Sequence, residues 1–201
     1  MPVLGLFPLQ VVLLPTEQTP LHIFEPRYKE LIGDCLEGDE EFGLLLAEPD
    51  GMRTVGTRAR IAQVLDELPD GRLNIVVEGG ERFRLVELTD GRSFRTGEVE
   101  PYVDEEDEAD AEDGDRALEL FRRVAELAEA KAEAPEPSPQ LSFEIAARIE
   151  LPLELKQELL ESRSEPERLR RLTQALDGIA ELLKKQRELR DLGARNGHKR
   201  L

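Results

Sequence analysis

Between residues 42 and 103 the apolar positions come in short runs, broken by turn residues every eight to twelve positions. FGLLLA (42–47) stops at Glu48-Pro49-Asp50-Gly51. TRARIAQVLDEL (57–68) and RLNIVVEG (72–79) flank Pro69-Asp70-Gly71, a strand–turn–strand sequence that predicts a hairpin by its turn chemistry. Gly79-Gly80 separates the second strand from ERFRLVEL (81–88), where Phe83 and Leu85 alternate with Arg82, Arg84 and Val86. Asp90-Gly91 turns the chain again into RSFRTGEVEPYV (92–103). A meander of short strands with this spacing predicts a barrel or sandwich. One helix precedes it. In PRYKELIGDCLEG (26–38), Tyr28, Leu31, Ile32, Cys35 and Leu36 form an i, i+3, i+4, i+7, i+8 stripe, with Pro26 suited to the first turn and Gly38 to the stop.

Beyond residue 115 the period becomes helical. Leu118, Phe121, Ala125 and Ala128 share one face of DRALELFRRVAELAEAKAEA, and PEPSPQ (135–140) ends that helix. Ser138 is placed to cap the next helix, with Pro139 at its first position and Leu141, Ile145 and Ile149 along it. Leu151-Pro152 breaks the chain before the short helix LELKQELLES. Ser164 and Glu167 fit the Ser-x-x-Glu capping box of a last helix carrying Leu169, Leu172, Leu176, Ile179 and Leu183. The 3-4-3-4 spacing covers about two heptads, short of the ~3–4 that define a coiled coil, so the pattern predicts packing within a local bundle.

Charge marks the boundary between the two patterns. DEEDEADAEDGD (104–115) holds nine carboxylates in twelve residues. Like charges at this density repel, so the run predicts a solvated linker. An EF-hand register with Gly114 at the sixth position would put Ala109 at the first, which fails. The expected organisation is a β-rich lobe over 1–103, an acidic linker over 104–115, a helical lobe over 116–192 and a polar tail over 193–201. The chain carries a net charge of −17. Nucleic acid is therefore an unlikely partner, because binding it rests on neutralising phosphates with Lys and Arg. Anionic membranes are disfavoured for the same reason. No apolar stretch approaches the roughly 20 residues of a membrane helix. The N-terminus lacks the basic and apolar regions of a signal peptide. With Cys35 the only cysteine, these features point to the cytoplasm.

The residues spell no recognisable catalytic or metal-binding motif. Gly51 to Gly56 has the glycine spacing of a phosphate loop, but Thr57 and Arg58 stand where Lys and Ser/Thr are required, and a strand follows instead of a helix. His22 and His198 are far apart and make no zinc set. Cys35 sits on the apolar stripe of its helix and reads as a small buried hydrophobe. No Ser lies in a Gly-x-Ser-x-Gly elbow. No catalytic residue, cofactor or metal ligand is expected.

The stretch FPLQVVLLPTEQTPLHIFEPRYKELIGDCL resembles the start of the Lon protease N-terminal domain, the Lon substrate-binding domain, in its stand-alone bacterial form. VGTRARIAQVLDELPDGRLNIVVEGGERFRL, LSFEIAARIELPLELKQELLES and PERLRRL follow in the same order and approximate spacing. The resemblance implies an α+β chain: a β-rich, PUA-like pseudobarrel with one helix, then a helical bundle. It also implies a non-catalytic role in binding unfolded or partner polypeptides. The ATPase and Ser-Lys protease modules of full Lon proteases have no counterpart in these residues, so no enzymatic activity is expected. The acidic run departs from the family pattern.

Within the opening segment, Pro8 and Pro15 bracket LQVVLL, Pro20 precedes LHIF, and Pro26 starts the helix. Prolines cannot complete a hydrogen-bond ladder, so the segment reads as a folded edge of the barrel. Phe7, Leu9, Val11, Leu13, Ile23, Phe24 and Tyr28 are the candidates for core or for an apolar groove that takes extended polypeptide. Most are expected to be core. The alternative function is RNA binding by a PUA-like module, with Arg82, Arg84, Arg92 and Arg95 clustered on one face. A solvated barrel face is the simpler reading of those arginines.

Overall fold

The structure, a computed structural model, describes residues 2–90, 92–107 and 109–197, with side chains to Arg190. His198 and the last residues of the expected polar tail lie outside the described residues. An N-terminal β-sheet with one helix is followed by a C-terminal helical bundle. The chain divides into two compact units, Met1–Glu105 with Ala146–Arg163, and Glu106–Ile145 with Ser164–Leu201.

Among the described residues the first unit has seven strands: β1 (Val3–Leu9), β2 (Gln18–Ile23), β3 (Phe42–Glu48), β4 (Gly51–Met52), β5 (Val55–Glu67), β6 (Leu73–Thr89) and β7 (Arg95–Pro101). Pairing runs β1–β7–β6–β5–β3, and β3 also pairs in parallel with β1, Leu6 opposite Gly43 and Leu9 opposite Leu46. β1 is therefore flanked on both sides and is no edge, contrary to the expectation for the whole opening segment. β2 is different: among the described residues it pairs only with β6, from Gln18–Glu78 to Ile23–Leu73. The β3–β4 and β5–β6 hairpins fall where the turn residues predict them. In the second, the Gly71 amide donates to the Leu68 carbonyl at 2.8 Å, with Gly71 at φ +77°.

One expected break is not there. Gly79-Gly80 does not separate two strands, because β6 runs through it for 17 residues. At that point its neighbours change: before it β6 lies between β2 and β5, and after it between β5 and β7. Residues 10–17 cross here without strand structure. Thr16 N–H donates to the Gly79 carbonyl at 2.8 Å, and Gly79 N–H to the Glu17 carbonyl at 2.9 Å. A Cβ on Gly79 would lie 2.1 Å from the Leu14 carbonyl oxygen. The glycine is there for close backbone approach, not for a turn.

Helix α1 (Pro26–Gly38) forms where the stripe predicts it, and the left-handed residue at its end is Asp39, at φ 51°. Its Tyr28, Leu31, Ile32 and Cys35 enter a core with Phe7, Leu13, Ile23, Phe42, Leu44, Ile75 and Val77. Each such side chain contributes about 1.5–3 kcal/mol when fully buried. Leu36, on the same predicted stripe, remains 45% exposed. A smaller cluster joins Leu4, Leu6, Leu45, Phe83 and Val99.

Residues 146–163, which the periodicity assigns to the helical lobe, count with the sheet. Their helix, here α4 (Leu153–Glu161), buries Gln157, Leu159 and Leu160. Lys156 Nζ reaches the Glu17 carboxylate at 2.5 and 2.7 Å, and Gln157 Nε2 donates to the Val55 carbonyl at 3.2 Å.

The second unit consists of α2 (Ala111–Leu127), α3 (Leu141–Ala146) and α5 (Glu165–Gly197). Helix α2 starts inside the acidic run, and buries Ala117, Leu118, Leu120, Phe121 and Val124. It packs along α5, whose Leu169, Leu172, Leu176 and Ala180 are buried. The capping box at the start of α5 supplies a bond from Glu167 N–H to Ser164 Oγ at 3.2 Å. Ile149 lies beyond the end of α3 and is half-buried.

Candidate functional site

The seven apolar residues singled out in the opening segment separate by depth. Phe7, Leu13, Ile23 and Tyr28 are buried. Phe7 stacks on Tyr28 at 4.0 Å between ring centroids and lies 6.0 Å from Phe42. Burial raises the Tyr28 pKa above its usual value, against the opposing pull of the Arg27 guanidinium, which sits 4.6 Å over the ring. These four side chains hold the sheet on α1 and have no surface to offer. Leu9 and Val11 are half-buried, Leu9 against the core edge. Phe24 is 59% exposed, directly after β2.

The surface that remains is β2 and its flank. Gln18, Pro20 and His22 alternate outward, while Ile23 points to the core. Across the ladder they face Glu78, Val76 and Asn74. His22 Nδ1 lies 2.7 Å from Asn74 Oδ1, and the imidazole stacks on Phe24 at 5.8 Å. This arrangement offers a strand edge unpaired among the described residues, a proline within it, and a large exposed aromatic at its end. It can dock an extended backbone by strand addition, with the ring as an apolar contact.

A cleft of about 750 Å³ at the end of α1 escapes the sequence reading. It is lined by Val3, Leu36 and Ile61 together with Asp39, Glu40, Glu41, Arg58 and Arg60. Its cations are largely answered within the unit, Arg60 by Glu78 at 2.8 Å and Arg58 by Glu41 at 3.7 Å. Leu36 was legible only as part of a buried stripe.

The arginines are not one solvated face. Arg82 is buried, with Nη1 donating to the Leu160 and Ser162 carbonyls at 2.7 and 2.6 Å and Nη2 to the Asp104 carboxylate. It caps the C-terminal carbonyls of α4, where a cation also complements the helix dipole. Arg84 does share its face, since both guanidinium groups lie over the Tyr102 ring, at 5.2 and 4.7 Å. Arg92 pairs with Asp34 and covers Phe94.

Among the described residues, no group of three or more His, Cys, Asp or Glu side chains is placed to hold a metal ion. Cys35 is buried, and burial pushes its thiol up to about 11 with help from Glu40 and Asp34, so it stays protonated. No described helix is long and apolar enough to cross a membrane.

A mixed sheet with an edge strand open among the described residues and an exposed aromatic at its end has the geometry of a polypeptide-binding surface. Residues 3–178 match the model of the ATP-dependent protease La (LON) substrate-binding domain, and the chain belongs to that family. The match is to the substrate-binding domain and not to the ATPase or protease parts of such proteases. The chain is 28% identical to the Lon protease of Paraburkholderia phytofirmans over 196 residues, covering 89% of this chain and 24% of that protein. It is 27% identical to Lon protease 1 of Hydrogenovibrio crunogenus over 133 residues, covering 62% of this chain and 16% of that one. The chain thus spans less than a quarter of the length of these curated relatives. Among solved structures it resembles a Lon N-terminal domain protein from Xanthomonas campestris, with 31% identity, a TM-score of 0.66, and coverage of 86% of this chain and 97% of that one. The N-terminal domain of a Mycobacterium avium complex Lon protease has the same fold, with a TM-score of 0.69 at 20% identity, over 88% of this chain and 98% of that one.

Proposed function

We propose that this chain is a non-catalytic module that binds unfolded or partner polypeptides through the β2 edge and Phe24. Family membership carries the reading, since the matched domain is described as substrate-binding. The free side of β2 and the exposure of Phe24 support its location. Of the seven sequence candidates, Phe24 makes the contact; Leu9 and Val11 keep part of their surface, and the other four belong to the core. The return of pairing from β3 to β1 supports the finer description of the sheet as a PUA-like pseudobarrel. The single, buried Cys35 supports a reducing, cytoplasmic setting. Nucleic acid is a poor ligand, because the net charge is −17 and Arg82, Arg84 and Arg92 each have a carboxylate partner.

Fluorescence anisotropy of labelled, dephosphorylated casein and of a labelled single-stranded RNA tests this. Casein should bind in the micromolar range, about −8 kcal/mol, and hold its affinity as salt rises. Phe24→Asp should weaken it about tenfold. RNA should not bind. Salt-sensitive RNA binding without a casein signal would replace this reading with the RNA module.

A further inference from the structure

The acidic run contributes to a cavity in the helical unit. A pocket of about 410 Å³ lies among the start of α2, the 137–139 segment, the start of α3 and the first turns of α5. Leu141, Leu169 and Pro139 give it an apolar side; Asp107, Asp110 and Asp115 give it a carboxylate side. The fourth acid on its wall, Glu165, is already committed. It accepts from Ser142 N–H at 2.8 Å and Ser142 Oγ at 2.6 Å and pairs with Arg168 at 2.6 Å.

The three aspartates are not committed in this way. Asp107 Oδ1 is closed off from solvent with no hydrogen-bond partner among the described residues. A buried carboxylate oxygen without a donor is costly, and such a group marks a place where a partner belongs. Asp110 occupies the N-cap of α2 but makes no side-chain cap bond. Helix α2 does not need these charges to answer its dipole, since Glu112 and Asp113 already stand in its first turn.

We propose that this pocket receives the side chain of an arginine or lysine from a bound polypeptide. The apolar wall suits the aliphatic stem and the aspartates suit the charged head, the division that such side chains require. A metal ion is a poorer fit, because these acids do not converge as a metal's ligands would. The proposal rests on the polypeptide-binding reading and adds a charge preference to it: substrates with exposed basic residues are favoured.

The test uses the full chain and two fluorescein-labelled peptides of a Gly-Ser-Leu background, identical except for a central arginine or its neutral isostere citrulline. Labelled casein is titrated in parallel. The arginine peptide should bind about tenfold more tightly than the citrulline peptide, and this preference should vanish in Asp107→Asn/Asp110→Asn. Asn is an equally good N-cap, so the variant should keep its unfolding midpoint. Asp115→Asn alone should reduce the preference in part. Equal binding of both peptides, or casein binding with neither peptide bound, overturns the cation site and leaves polypeptide binding intact. A preference that survives in the double variant overturns its location. Failure to bind casein or either peptide overturns both readings.

Discussion

Among the described residues, the sheet unit and the helical unit each bury one arginine, at very different sequence range. Arg82 in β6 reaches the carbonyls of Leu160 and Ser162, nearly 80 residues on, and the carboxylate of Asp104. Arg168 in α5 pairs with Glu165, one helical turn away, and its Nε donates to Ser142 Oγ at 2.9 Å. It also lies 4.3 Å over the Phe143 ring. The first arginine serves backbone acceptors that no substitution can remove. The second serves side chains, the Glu165 carboxylate and Ser142 Oγ. The sheet unit thus holds its buried arginine with backbone carbonyls about 80 residues away, and the helical unit holds its own with side chains 3 and 26 residues away.

The largest expected effect falls on the sheet. Gly79→Val should cost more than about 4 kcal/mol, because its Cβ would meet backbone and not a movable side chain. Urea unfolding should find the variant unfolded or nearly so. Arg82→Met and Arg168→Met should each cost about 3–5 kcal/mol by leaving buried acceptors unpaired. Glu165→Met/Arg168→Met should recover the part of the loss that comes from an unpaired Glu165 but not the part carried by Ser142, whose N–H and Oγ lose their acceptor, whereas Asp104→Asn should not rescue Arg82→Met at all, since the α4 carbonyls stay unpaired. Rescue in both, or in neither, would erase the distinction. A gain of about 0.5–1 kcal/mol is expected from Gly178→Ala, where α5 is exposed and a Cβ meets nothing within 4 Å.

The smallest effect concerns pH. Desolvation raises the Glu165 pKa above its ordinary 4.5, outweighing the bonds from Ser142 and Arg168 that pull it down. A raised folded-state value gives stability that is fully present below 4.5 and is lost as pH rises through the folded pKa. The stability of the native chain relative to Glu165→Gln should therefore fall as pH rises above 4.5. A flat or rising difference would place the ion pair ahead of desolvation.

The legible parts of the fold are those fixed by local chemistry. The α1 stripe, the Pro69-Asp70-Gly71 hairpin turn and the Ser164 cap each depend on residues within one or two turns of each other. What was not legible depends on contacts across the chain. Gly79-Gly80 looks like a turn, because a glycine needed for backbone approach carries the same letter as one needed for positive φ. Arg82 looks like a surface arginine, because α4, which buries it, lies far along the sequence. Residues 146–163 continue a helical pattern, and periodicity does not say against which surface a helix packs. At the candidate site, the sequence marked an apolar segment; which of its side chains stayed outside depended on the pairing of β1 on both sides and of β2 on one.

The most direct measurement is amide NMR of the isotopically labelled chain, titrated with an unfolded polypeptide that lacks Lys and Arg. Such a ligand leaves the aspartate pocket out of the reckoning. Binding through the open edge should shift the amides of Gln18–Phe24 and of the paired Leu73–Glu78 first and most. Saturable binding that leaves these amides unmoved while others shift would contradict the assignment of the site to β2.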